Sequence, residues 1–117
     1  MNFSEALYNL PNVNLTKEQI NALYDELKNL EIFFNENYEN DDKFASDFVN
    51  KFSVLLKRYG FDLDVQESFL DNLYQVEEFK GLSGNVIIMI RNVSGEYDFC
   101  EFTYEQMIEE MQNDSEY

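Results

Sequence analysis

Val86-Ile-Ile-Met-Ile90 is the longest run of consecutive apolar residues in the chain, and any fold must bury it. A run of five, bounded by Asn85 and Arg91 and rich in β-branched residues, reads as a central strand. Asn92-Val-Ser-Gly95 then reads as a turn closed by Gly95, and Glu96-Tyr-Asp-Phe-Cys-Glu-Phe102 as a second strand. Thr103-Tyr-Glu-Gln106 is a capping-box pattern that opens a closing helix with Tyr104, Met107, Ile108 and Met111 on one face. Gly81 and Gly84 bracket a loop before this hairpin. Both alternating sets of the first strand, Val86, Ile88 and Ile90 on one side and Ile87 and Met89 on the other, are apolar. Helices must therefore cover both faces, or one face is an interface. A two-stranded hairpin is marginal alone, so a third strand from residues 73–79 or from another subunit is expected to support it.

Upstream the helical period is clear. Ser4 reads as an N-cap for a short helix ended by Pro11, with Phe3 against Tyr8 as a hydrophobic staple. Thr16-Lys-Glu-Gln19 opens a long helix that carries Ile20, Leu23, Tyr24, Leu27, Leu30 and Phe34 inward and stops near Asn35. Asn35 to Asp42 is a polar, acidic connection. A second long helix starts at Asp41 or Asp42, points Phe44, Phe48, Phe52, Leu55, Leu56 and Tyr59 inward, and ends at Lys57, Arg58 and Gly60. Asp64-Val-Gln-Glu67 reads as the cap of a third helix with Phe69, Leu70, Leu73 and Val76, although residues 74–79 alternate in a way a strand also tolerates. The expected fold is α+β: two to three N-terminal helices on an antiparallel hairpin with a closing helix. Residues 1–117 read as one domain, with 112–117 a frayed acidic tail.

Charge limits the partners. The chain holds 24 acids against 8 bases and no histidine, a net charge of −16. Such a field repels phosphate, so neither direct nucleic-acid binding nor attachment to an anionic membrane is expected. A basic protein partner is. The first basic residue is Lys17, no apolar leader segment precedes it, and no run approaches the roughly 20 apolar residues of a membrane span. A single cysteine cannot form an internal disulfide, and these features together point to the cytoplasm.

Catalytic chemistry has little to work with. Without histidine there is no Ser-His or Cys-His pair and no ordinary zinc site. Asp98 and Glu101 flank Cys100 and would raise its pKa, so it reads as a small packed side chain. Adjacent acids such as Glu77-Glu78 and Glu109-Glu110 diverge on a helix and make poor acid–base dyads. Asp62 and Asp64 could open a calcium loop, but Glu67 and Leu73 stand where glycine and glutamate are needed. Two glycosylation sequons, at Asn14 and Asn92, carry no weight without a secretory signal, and Gly81-Leu-Ser-Gly84 is too short for a phosphate loop. No cofactor or metal is expected, and an enzyme is the least favoured class.

The acids are unevenly placed. Residues 1–58 hold 10 acids and 6 bases, whereas residues 59–117 hold 14 acids and 2 bases. Glu101, Glu105 and Glu109 are spaced by four, which on a helix lines side chains about 5–6 Å apart, near the phosphate spacing of a nucleic-acid strand. Glu96, Asp98 and Glu110 extend the row, and Tyr97 and Tyr104 would add apolar contact. A solvated amphipathic helix also needs polar residues on its wet face. What separates this half is the lack of interspersed lysines. In size, charge and lack of catalytic residues the chain resembles the acidic inhibitors of phages and mobile elements (anti-CRISPR proteins, antirestriction proteins and other DNA mimics). It also resembles immunity proteins and antitoxins. That resemblance implies an inhibitor that occludes the nucleic-acid groove of a basic enzyme such as a nuclease. The alternatives are a toxin-neutralising immunity protein or, in another class, a non-catalytic adaptor pairing through the hairpin.

Overall fold

The computed structural model describes residues 1–93, and these are all helical where they are regular. Helix α1 spans Phe3–Tyr8, α2 Lys17–Asn37, α3 Asp42–Arg58, α4 Leu63–Tyr74 and α5 Lys80–Val93, with a single 3₁₀ turn at Glu77–Phe79 before α5. There is no strand among the described residues. The expected α+β fold is therefore corrected to an all-α one: Asn85–Arg91 is not the first strand of a hairpin but the body of α5. The second strand Glu96–Phe102, the closing helix and the 112–117 tail lie outside the described residues.

The burial pattern explains the correction. Along α5, Leu82, Ser83, Val86, Met89 and Ile90 are buried, whereas Ile88 is 56% exposed. Spacings of one, four, seven and eight mark one helix face. A strand would have put Val86, Ile88 and Ile90 on the same side. Five consecutive apolar residues carry no period of their own. The deciding positions are Leu82 and Ser83, inside the segment that the glycines had suggested was a loop. Helix α5 packs against both α3 and α4, so an apolar surface wider than one stripe is covered from two directions. The Ser83 hydroxyl is buried yet satisfied, bonding to the carbonyls of Phe79 and Lys80, each at 3.1 Å. Residues 73–79 form no third strand either: α4 ends at Tyr74, and Val76 and Phe79 turn inward across the 3₁₀ turn.

The local stop and start signals mostly hold. At the start of α2, Gln19 N–H donates to Thr16 Oγ1 at 3.1 Å and Thr16 N–H to Gln19 Oε1 at 2.8 Å, a complete capping box. Asp41 caps α3 by accepting from Phe44 N–H at 2.6 Å. That helix ends in a Schellman motif: Gly60 adopts φ +86°, its N–H donates to the Lys57 carbonyl, and Phe61 N–H reaches the Leu56 carbonyl at 3.2 Å. Two caps shift. Asp62, not Asp64, caps α4 by accepting from Val65 N–H at 2.9 Å. Asn2, not Ser4, caps α1, and the staple is absent, because Tyr8 is 73% exposed. Phe3 turns instead to Tyr24, Phe69 and Phe79, with ring centroids 5.2–6.3 Å apart, and fastens α1 across α2 and α4. Helix α2 runs on to Asn37, past the expected stop at Asn35.

The core is aromatic. Phe48, Phe52, Phe61, Phe69 and Phe79 are fully buried. One polar pair crosses it: Ser53 Oγ donates to Gln66 Oε1 at 2.8 Å, and Gln66 Nε2 donates to the Phe61 carbonyl at 3.0 Å, so the buried amide is not left unpaired. Between α2 and α3, Tyr59 donates to Glu26, which also pairs with Arg58 at 3.3 Å. Burial, and then the bond to the Glu26 carboxylate, pushes the Tyr59 phenol up to about 12.

Two outcomes test this architecture. Val86→Asp buries an unpaired charge and should cost roughly 3 kcal/mol or more, whereas Ile88→Asp should stay within about 0.5 kcal/mol of the parent. Urea unfolding midpoints separate the two, and comparable losses at both positions would restore the strand. In the same assay Gly84→Ala should stabilise by about 0.5–1 kcal/mol, because the added methyl meets only the Tyr74 ring at an ordinary 3.8 Å. The second outcome concerns Tyr59, whose folded-state pKa lies above the ordinary 10.0. Its contribution is fully present below pH 10 and is lost as pH rises through about 12. The stability gap between the parent and Tyr59→Phe should hold constant to the lower value and close towards the upper one.

Candidate acidic interface

All eight residues of the expected partner-binding set, Glu96, Tyr97, Asp98, Glu101, Tyr104, Glu105, Glu109 and Glu110, lie outside the described residues. Within the helical body a second group of acids emerges at the turn between α2 and α3. Glu36, Glu39, Asp41 and Asp42 are all exposed there, with Lys43 the one base nearby in the chain. Asp41 has a local task as the α3 cap. The other three have no ion-pair partner among the described residues.

Glu36 is the informative member. It sits in the last turn of α2, where the carbonyl ends of the helix carry partial negative charge and a cation is favoured. No basic residue occupies that turn. Helix α3, by contrast, ends on Lys57 and Arg58. An acid at the unfavourable end of a helix, followed closely by further acids, is a local conflict with stability. Such conflicts are expected where a surface serves binding.

The turn also borders a cavity of about 290 Å³ lined by Phe34, Tyr38, Glu39, Asn40, Asp41 and Ala45, and by Asn85, Ile88 and Met89 of α5. Tyr38 and Ile88 are each more than half exposed at its edge. Tyr38 also belongs to an aromatic cluster with Phe34, Phe44 and Phe48, with centroids 5.1–6.1 Å apart. The result is an apolar, partly aromatic floor with a carboxylate rim. An arginine or lysine side chain would fit both parts, its stem against the rings and its head at the carboxylates.

Position links this rim to the rest of the charge. Met89, one turn before the end of α5, lies at the cavity. Residues 94–117, which follow directly, hold eight acids and no base. Helix α5 itself passes the α2–α3 turn within its last three turns. By sequence the turn acids read as a polar, acidic connection. Their density, four acids in the seven residues from Glu36 to Asp42, was the available signal.

Elsewhere charge is spent on packing. Lys28 pairs with Glu31 at 3.7 Å, donates to the Glu78 carbonyl at 3.0 Å and lies 4.5 Å from the Phe79 ring centroid. Tyr24 donates to the Glu78 carboxylate, and that bond first of all raises the phenol's pKa. Burial raises the Asp71 carboxyl. Among the described residues no three potential ligands cluster as a metal site, and no helix is long and apolar enough to cross a membrane. Comparison with protein-family models, with curated proteins and with solved structures finds no match.

If Glu36 opposes the helix dipole and its acidic neighbours, Glu36→Lys should raise stability by about 0.5–1 kcal/mol at low salt. The gain should shrink between roughly 0.01 M and 1 M NaCl, where the screening length falls from about 30 Å to about 3 Å. Thermal unfolding at the two salt concentrations reads this directly, and a loss of stability at low salt would mean that Glu36 has a stabilising partner.

Proposed function

We propose that this protein is a non-catalytic acidic inhibitor that binds a basic nucleic-acid-handling enzyme in the cytoplasm and occludes its nucleic-acid groove. The best single candidate is an RNA-guided effector nuclease of the CRISPR type. The observation that carries the reading is the group of exposed acids at the α2–α3 turn, with Glu36 held against its own helix dipole; the sequence adds eight acids and no base in residues 94–117. Charge complementarity of this kind speeds encounter and selects partners more than it adds raw affinity. A groove built for phosphates supplies the matching cations. Adaptor pairing through a strand edge loses its basis, since Asn85–Arg91 is helical. Neutralisation of a toxin nuclease remains the nearest competitor.

The test is DNA cleavage by guide-loaded effector nucleases, with this protein added at equimolar ratio before the DNA. Inhibition of a susceptible effector should be relieved by excess duplex and should weaken steeply with salt. Two triple reversals to lysine, at Glu36, Glu39 and Asp42 and separately at Glu101, Glu105 and Glu109, should each weaken inhibition by about tenfold or more. Inhibition that survives both reversals would end the groove-mimic reading. Inhibition confined to a toxin nuclease and unrelieved by DNA would replace it with immunity at an exosite.

A further inference from the structure

The cavity between the α2–α3 turn and α5 is more than a place where acids gather. Its volume of about 290 Å³ lies at the lower edge of the roughly 300–1,000 Å³ of pockets that hold whole small molecules. It has room for one side chain. Phe34 and Tyr38 come to it from α2 and its C-cap, Glu39 and Asp41 from the turn, and Asn85 and Met89 from α5. Its polar groups are only partly used. Asp41 accepts from Phe44 N–H through Oδ1 at 2.6 Å, and no donor among the described residues reaches its Oδ2. Glu39 is exposed and has no ion-pair partner among them. Asn85 is half-buried, and its amide makes no hydrogen bond within the described residues, a cost that a ligand donor would relieve. The other charges close to these residues in the chain are Glu36, Asp42, Lys43 and Arg91, and none of them lines the cavity. Together with Glu39 and Asp41 they make four acids against two bases, so the site stays negative.

We infer that this cavity receives one arginine side chain of the partner, its guanidinium against the Phe34 and Tyr38 rings and bonded to Glu39, Asp41 and Asn85. Three acceptor groups beside an aromatic wall call for several donors held in one plane. A guanidinium has them, stacks on rings and is more weakly hydrated than an ammonium. An arginine seated in a pocket is the kind of anchor that carries most of the energy of an interface. Diffuse negative charge attracts any basic groove. A pocket that must be filled selects grooves in which one arginine projects far enough to reach it. That the arginine belongs to a nucleic-acid-handling enzyme rests on the proposed inhibition; the cavity's preference for it does not.

The full-length ¹⁵N-labelled chain titrated with Nα-acetyl-arginine amide at constant ionic strength should show saturating amide shifts at Tyr38, Glu39, Asn85 and Met89. Residues of α4 from Val65 to Leu73 should not move. Nα-acetyl-lysine amide should bind about fivefold more weakly, and the neutral isostere Nα-acetyl-citrulline amide should not saturate. Glu39→Gln combined with Asp41→Asn removes both charges and keeps a capping side chain at position 41. It should weaken arginine binding about tenfold with the α4 spectrum unchanged. Equal binding of lysine or citrulline, matching shifts at remote acids such as Asp25, Asp64 and Glu77, or a double variant that binds as before would overturn the assignment. In the cleavage assay the same variant should lower inhibition about tenfold. Inhibition unchanged in a variant that has lost arginine binding would overturn the contact with the enzyme. Arginine seated in the cavity with no effector inhibited would uphold the pocket and end the proposed function instead.

Discussion

Burial of α5 against both α3 and α4 is the contact on which this fold depends. Val86, Met89 and Ile90 are almost completely removed from water, and their transfer is worth roughly 1.5–3 kcal/mol per side chain. That gain offsets the helix-weakening effect of two glycines and several β-branched residues, each of which disfavours a helix in isolation. Once α5 is in place, the 3₁₀ turn before it brings Phe79 into the centre. Phe3, Tyr24 and Phe69 can then gather around it. The short helix α1 is retained because its own Phe3 packs among these rings and Asn72 of α4 donates to the Ala6 carbonyl at 3.2 Å.

The polar parts divide by what surrounds them. Inside, Ser53, Gln66 and Ser83 find partners and cost little. On the surface, Lys28, Lys51 and Lys80 lie over aromatic rings and Lys57 and Arg58 close α3, which leaves Lys43 as the one base beside the turn acids in the chain. Negative charge thus collects where α2 meets α3. A wet helix face would ordinarily mix signs. Here they are mixed along the α2–α3 groove, where Glu26 pairs with Arg58, but not at the turn, where carboxylates predominate.

Capping shows how far local chemistry could be read in advance. The Thr16–Gln19 box, the Asp41 cap and the Gly60 terminus were legible because each depends on residues within one turn of one another. So were the inward faces of α2 and α3, whose apolar residues repeat at a helical period over several turns. The α4 cap was misplaced by two residues because Asp62 and Asp64 are chemically equal and only the backbone dihedrals distinguish them. Phe3 pairs by local spacing with Tyr8, whereas its partners in the fold, Tyr24, Phe69 and Phe79, lie far along the chain.

The amino-acid order alone determined the charge, the lack of histidine chemistry and the two long amphipathic helices, since composition and short-range period suffice for each. Only the packed structure decided that Val86–Ile90 is a helix. Five adjacent apolar residues satisfy either period, and what settles the matter is having α3 on one side and α4 on the other. The same packing brought the α2–α3 turn to α5: Glu39 and Asp41 line one cavity with Asn85, Ile88 and Met89, more than forty positions away in the chain.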